Sequence, residues 1–117
     1  MNDYKELMVW QKSIEVAVIC HNITSSFPKE ELIGLTSQIR RAASSIPANI
    51  AEGSGKNSRK GFNQYLSIAL RSAFELDTHL QISFKIGYIS EEMINEITVL
   101  IIEIVKMIKG LQKSFKF

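Results

Sequence analysis

Apolar positions recur along the chain at helical rather than strand intervals. Ile94, Ile97, Ile101, Ile104, Ile108 and Leu111 follow a 3-4-3-4-3 spacing, and Phe62, Leu66, Ala69, Ala73, Leu76 and Leu80 a 4-3-4-3-4 spacing. Such intervals gather side chains on one helix face and form the seams of left-handed bundle packing. The last segment is rich in β-branched residues, but it lacks strict alternation and keeps its heptad spacing for roughly five turns, so a helix is expected there. Turn signals divide the chain into four helices, at about 5–25, 30–52, 58–86 and 90–113. The first stops at Ser25-Ser26-Phe27-Pro28, because the residue before a proline avoids the α region. The second opens near Lys29, is helical by Leu35, and ends at Glu52-Gly53-Ser54-Gly55. Asn57 or Ser58 caps the third, and Gly87 ends it. Ser90 caps the fourth, with Glu91 and Glu92 at its positive end and Lys106, Lys109 and Lys113 toward its negative end. Short connections make neighbouring helices antiparallel. The expected architecture is all-α, an antiparallel up-down-up-down four-helix bundle forming one domain over residues 1–117.

The apolar pattern exceeds what one bundle core needs. The fourth segment is also apolar at Met93, Leu100 and Met107, and again at Val99, Ile102 and Val105. The first carries two stripes as well: Leu7, Trp10, Ile14 and Ala17, and Val9, Val16, Cys20 and Ile23. A helix apolar on more than one face is buried on more than one face, so self-association is expected.

Composition removes several classes. Of 117 residues 45% are hydrophobic, with 6 Gly and 2 Pro, which excludes a disordered or collagen-like chain. The single cysteine, Cys20, excludes a disulfide scaffold and any multi-thiolate metal site and suits a reducing compartment. The polar, mixed-charge start Met1–Glu6 is unlike a secretory signal, and Glu103 and Lys106 break the richest apolar run. A membrane span needs ~20 apolar residues, so a cytoplasmic protein with no membrane partner is expected. The net charge of +2 does not advertise nucleic acid, yet it is an average. Residues 40–71 hold Arg40, Arg41, Lys56, Arg59, Lys60 and Arg71 against Glu52 alone, whereas Glu91, Glu92 and Glu96 crowd the start of the fourth helix. A cationic, hydroxyl-rich turn suits phosphates, and Arg40, Arg41, Lys56, Arg59 and Lys60 are the candidate contacts to RNA or DNA. A charged loop that is merely solvated is the plainer alternative.

The run from Leu35 to Gly53 is the least ordinary part of the chain. Pro47 falls inside its helical pattern, where it removes one backbone hydrogen bond and clashes with the carbonyl of Ala43, so a kink is expected. Ser44, Ser45 and Asn49 are placed to satisfy the freed groups. Gln38-Ile39-Arg40-Arg41-Ala42-Ala43 and Ser45-Ile46-Pro47-Ala48-Asn49-Ile50-Ala51-Glu52-Gly53 closely resemble the signature of a bacterial four-helix bundle family. Its members are often encoded by intervening sequences within 23S ribosomal RNA genes. The family was once labelled ribosomal, and it is similar to the accessory protein of diversity-generating retroelements. Val9-Trp10-Gln11-Lys12, Phe27-Pro28-Lys29-Glu30-Glu31 and Glu75-Leu76 also resemble the family pattern, whereas Arg71-Ser72 departs from it where glycine often precedes the serine. The resemblance implies a homopentamer with a central channel and no known enzymatic activity. Its similarity to the retroelement accessory proteins implies engagement of nucleic acid together with a reverse transcriptase.

No enzymatic constellation is visible, and a non-enzyme without cofactor is expected. Gly53-Ser54-Gly55-Lys56 has the wrong spacing for a phosphate-binding P-loop. His21 and His79 lie on different helices, and no Glu-x-x-His pair exists, so no metal is expected. Glu75, between Phe74 and Leu76, is expected to pair with Arg40 or Arg41 and fix helix register or a subunit interface. A catalytic acid is the sharper but disfavoured reading of Glu75. Trp10, Phe62, Tyr65, Phe74 and Phe84 read as packing residues, with base stacking open to Tyr65, Phe115 and Phe117. A protein partner in place of nucleic acid is the other binding class the sequence allows.

Overall fold

In the computed structural model, which describes residues 3–115, four α-helices follow one another: α1 (Met8–Thr24), α2 (Leu35–Ser54), α3 (Arg59–Ile86) and α4 (Glu91–Ser114). At 1.5 Å per residue the 28 residues of α3 span ~42 Å, which accounts for the long dimension of the 44 × 24 × 21 Å molecule. Each helix packs on two others: α1 on α2 and α4, α3 on α2 and α4. The cross-section is therefore a square, with the α1–α2 edge opposite the α3–α4 edge. Side-chain contacts fix the directions. Arg40 meets Thr24 at one end of the α1–α2 pair, and Trp10 lines a groove with Ala48 and Ala51 toward the other. Ser45 meets Ser72, and Gly53 meets Phe62 and Tyr65. Gln81 meets Thr98, and Gln112 meets Ser67. Consecutive helices are thus antiparallel, as expected.

Helix ends follow the caps in the sequence, with two differences. The Asp3 carboxylate accepts from Lys5 N–H at 3.0 Å and holds Tyr4–Glu6 in a 3₁₀ turn. Leu7 then takes an extended backbone, so α1 starts at Met8 and not near residue 5. After Pro28, Lys29–Glu31 is likewise a separate 3₁₀ turn. The Glu31 carboxylate accepts from Leu35 N–H at 3.2 Å, and α2 begins there, five residues later than the expected start at 30. Ser58 and Ser90 cap α3 and α4 through hydrogen bonds from Gly61 N–H at 3.0 Å and Met93 N–H at 3.1 Å. Gly87, at φ 102°, supplies the left-handed residue that closes α3. The N–H of Tyr88 returns to the Ser83 carbonyl at 2.9 Å, the bond of widest sequence span at this glycine-closed terminus.

The buried residues are those of the principal seams: Leu66, Ala69, Ala73, Leu76 and Leu80 from α3, and Ile94, Ile97, Ile101, Ile104 and Ile108 from α4. Ile39, Ala42, Ala43, Ile46 and Ile50 line them from α2. From α1 the core takes Val9, Val16 and Cys20, while Leu7, Trp10 and Ala17 of the other stripe are half-buried and Ile14 is exposed. Pro47 is buried within α2, and the helix continues through it to Ser54. The Asn49 amide donates to the Ser45 carbonyl at 2.8 Å and to the Ser45 hydroxyl at 3.0 Å. That hydroxyl in turn shares a 2.8 Å hydrogen bond with Ser72 of α3. Polar groups near the proline thus become a tie between α2 and α3.

One glycine sets how closely these two helices approach. A Cβ at Gly53 would lie 2.7 Å from Tyr65 Cβ and 3.2 Å from the Phe62 carbonyl, both fixed to the α3 backbone. Gly110 on α4 has open space at the same position. Gly53→Ala is therefore expected to lose about 1–3 kcal/mol through overpacking. Gly110→Ala should gain about 0.8–1.0 kcal/mol from helix propensity. Urea unfolding midpoints of the two variants check the opposite signs.

Candidate nucleic-acid interface at the α2–α3 turn

The cationic turn projects from the end of the bundle that also holds both ends of the described chain. Gly55 and Lys56 N–H groups bond back to Glu52 and Gly53 and close α2. Ser58 then caps α3, so residues 55–58 form a short connection between two rigid helices, and Arg59 and Lys60 open the first turn of α3. The Lys56 ammonium lies 5.0 Å from the Tyr65 ring centroid, a cation–π placement. Arg59 and Lys60 are exposed. An open concavity of about 410 Å³ is lined here by Lys56, Asn57, Ser58, Arg59 and Phe62. The Phe62 ring is backed by Phe115, with centroids 5.5 Å apart.

Arg40 and Arg41 do not join this cluster. Fourteen residues of α2 separate Arg40 from Ser54, a rise of ~21 Å, so both arginines sit toward the opposite end. Arg40 does structural work there. Its Nε donates to Thr24 Oγ1 at 2.9 Å and its Nη2 to the His21 carbonyl at 3.3 Å. A cation against the last carbonyls of α1 favours the negative helix end. Arg41 donates from Nη2 to the Gln38 side-chain carbonyl.

The expected pairing of Glu75 with Arg40 or Arg41 is not formed within the chain. Glu75 is exposed on α3, because it falls just off the Ala73–Leu76 seam, and both arginines have other partners. The ion pair found among the described residues is Lys12–Glu103, 2.9 Å, joining α1 to α4. Glu103 raises the Lys12 pKa through its hydrogen bond and its charge. At the opposite end, the Tyr88 hydroxyl donates to Glu31 at 2.9 Å, and this bond raises the tyrosine pKa. Phe27 packs on Tyr88 at 5.2 Å, so Glu31 ties the α1–α2 turn to the α3–α4 turn.

Trp10 packs against Tyr4 at 5.4 Å as a flank of the core. Phe117 lies outside the described residues. Among the described residues no three metal-ligating side chains come together. His79 Nδ1 is buried without a hydrogen-bond partner. No helix of the described residues is long and apolar enough to cross a membrane.

Apolar side chains remain uncovered on two edges. Between α3 and α4 a groove of about 360 Å³ is lined by Phe74, Ile102 and Val105 with Lys106 and Lys109 at its rim. Between α1 and α2 another of about 340 Å³ is lined by Trp10, Ile14, Pro47 and Ala48. Val18, Val99 and Phe74 are each about half exposed, at 55%, 56% and 49%.

The model of one protein family, described as 23S rRNA-intervening sequence protein, matches residues 5–110. The chain belongs to this family. The 23S rRNA-intervening sequence fold is seen again in a crystal structure from Bacteroides thetaiotaomicron, titled as a protein of unknown function from the S23 ribosomal protein family. That chain is 33% identical, with a TM-score of 0.83 over 90% of this chain and 95% of its own. Comparison with curated proteins finds no match.

Asn57 and Phe62 are the site residues that sequence reading missed. Phe62 sits on the core seam of α3, and only the geometry of the turn opens one side of its ring. Cys20 is closed to chemistry, since it is fully buried and desolvation pushes its pKa up to about 12. Treated with a thiol reagent at pH 8, the native protein is expected to stay unmodified and the urea-unfolded chain to react, as read by mass spectrometry.

Proposed function

We propose that this 23S rRNA-intervening sequence protein is a non-enzymatic, homo-oligomeric binding module, a ring of five copies that holds RNA or DNA through the α2–α3 turn. The carrying observation is the group Lys56, Arg59 and Lys60 at one end of a rigid bundle, with neither Arg59 nor Lys60 in a hydrogen bond or ion pair among the described residues. Cations that neutralise phosphates release condensed counterions, and this drives binding without sequence preference. Self-assembly is supported by the uncovered apolar grooves on opposite edges of the square. Two different surfaces on opposite edges suit head-to-tail contact, which closes into rings when the rotation allows. The cationic turn lies at a bundle end, away from those edges, so each copy would present its own cluster on the assembled ring.

The same apolar grooves favour a second reading, a structural or protein-interaction oligomer with no nucleic-acid role. A salt titration separates the two. With three cations per chain, log K for a single-stranded oligonucleotide should fall with log salt at a slope of about −2 per bound chain. A Lys56→Ala/Arg59→Ala/Lys60→Ala variant should flatten that slope. No binding of the unmodified protein at low salt, or a slope near zero, rejects the nucleic-acid role and leaves the second reading. Light scattering should return five times the 13.2 kDa chain mass, and Val99→Ser/Ile102→Ser should lower it. A monomer at micromolar concentration rejects self-assembly.

A further inference from the structure

The pocket at the α2–α3 turn has walls of three different chemistries. Lys56 and Arg59 supply positive charge, Asn57 supplies an amide with both donors and an acceptor, and Phe62 supplies an aromatic surface. The Asn57 and Arg59 side chains make no hydrogen bond or ion pair among the described residues, so both are available. The Phe62 ring is not loose. Phe115 packs on it at 5.5 Å with the planes 46° apart, and Gly53 lies beneath, where a Cβ would come within 3.0 Å of Phe62 Cδ1. A phosphate-binding surface alone needs only the cations. The amide and the anchored ring inside one concavity of about 410 Å³ call for a ligand that also has a flat face and a polar edge.

We infer that this pocket takes an unpaired nucleotide of a single strand, its phosphate at Lys56 and Arg59, its base edge at Asn57 and its base against Phe62. Within a duplex both faces of a base are occupied by its neighbours, and the edges in the deep major groove of A-form RNA are out of side-chain reach. An unstacked base offers its face to an aromatic ring and its edge to an amide. Lys60, exposed beside Arg59 in the first turn of α3 and outside the pocket lining, adds a further cation for the neighbouring phosphates of the same strand. The inference rests on the nucleic-acid reading above and narrows it from any polyanion to single-stranded segments.

Fluorescence anisotropy at low salt tests it on the full-length protein, with a twelve-nucleotide RNA, the duplex of the same sequence, and free adenosine monophosphate as competitor. The single strand is expected to bind about tenfold tighter than the duplex, the size of one base–aromatic stack. Phe62→Leu should bring that preference close to one. Asn57→Ala, at an exposed turn position, should lower single-strand affinity by about two- to tenfold, as for one lost hydrogen bond. Circular dichroism confirms the helical fold of both variants, and Asn57→Ala decides the matter should Phe62→Leu unfold. Equal binding of strand and duplex, or an Asn57→Ala variant with unchanged preference, overturns the inference while leaving electrostatic binding intact. Displacement of the strand by the free mononucleotide at matching concentration overturns the strand in favour of a small-molecule site. Absence of binding to strand and duplex alike rejects the parent reading and this one with it.

Discussion

Close approach of the α2 and α3 backbones is the constraint on which the other features depend. Small residues make it possible: Ala42, Ala43, Ala69 and Ala73 in the core, and Gly53 at the point where α2 meets Phe62 and Tyr65. Dispersion between well-packed atoms is individually slight and collectively large, so such a contact gains from every atom brought within reach. The Ser45–Ser72 hydroxyl pair then fixes register along that contact, because a slip of one turn would leave both hydroxyls half-buried and unpaired. Register in turn places the ends of α2 and α3, and the ends place the turn at residues 55–58. The cationic pocket is thus a consequence of packing some 15–20 Å away along the helices.

Much of this was legible in the sequence because bundle cores are written in spacing. The 3-4 seams of α3 and α4 are the buried seams, and Ser58, Gly87 and Ser90 sit where capping chemistry requires them. Spacing is blind to contacts across helices. It placed Glu75 beside an apolar neighbour and read burial from that, whereas the residue points outward. It grouped Arg40 with Lys56 because both are basic and near in sequence, although a rigid helix carries them to opposite ends. The 3₁₀ turn at Tyr4–Glu6 and the late start of α2 were also hidden, since each depends on one carboxylate, Asp3 or Glu31, reaching a particular backbone N–H.

The two bundle ends solve the same problem with opposite chemistry. At the α1–α2 and α3–α4 turns, acidic Glu31 gathers Tyr88 and the first N–H of α2, and Arg40 covers the last carbonyls of α1. Glu31 and Arg40 are thus both taken up in holding the chain. At the α2–α3 turn the helix ends are satisfied by backbone bonds and by Ser58, and with Lys56 resting on the Tyr65 ring this leaves Arg59 and Lys60 without structural duties. A charge without a structural partner is the kind that a ligand can use at little cost in stability.

The packing of Phe115 on Phe62 has a practical side. It brings the last described residue of the chain onto the ring that walls the cationic turn, while Tyr4 rests on Trp10 near the same end of the bundle. A group attached close to Tyr4 or Phe115 would sit at the same pole as that turn. A fluorophore or surface anchor is better attached at the opposite pole, where Ile33 stands 93% exposed. Orientation on a sensor surface would then follow from chain topology, with the basic pole facing solution.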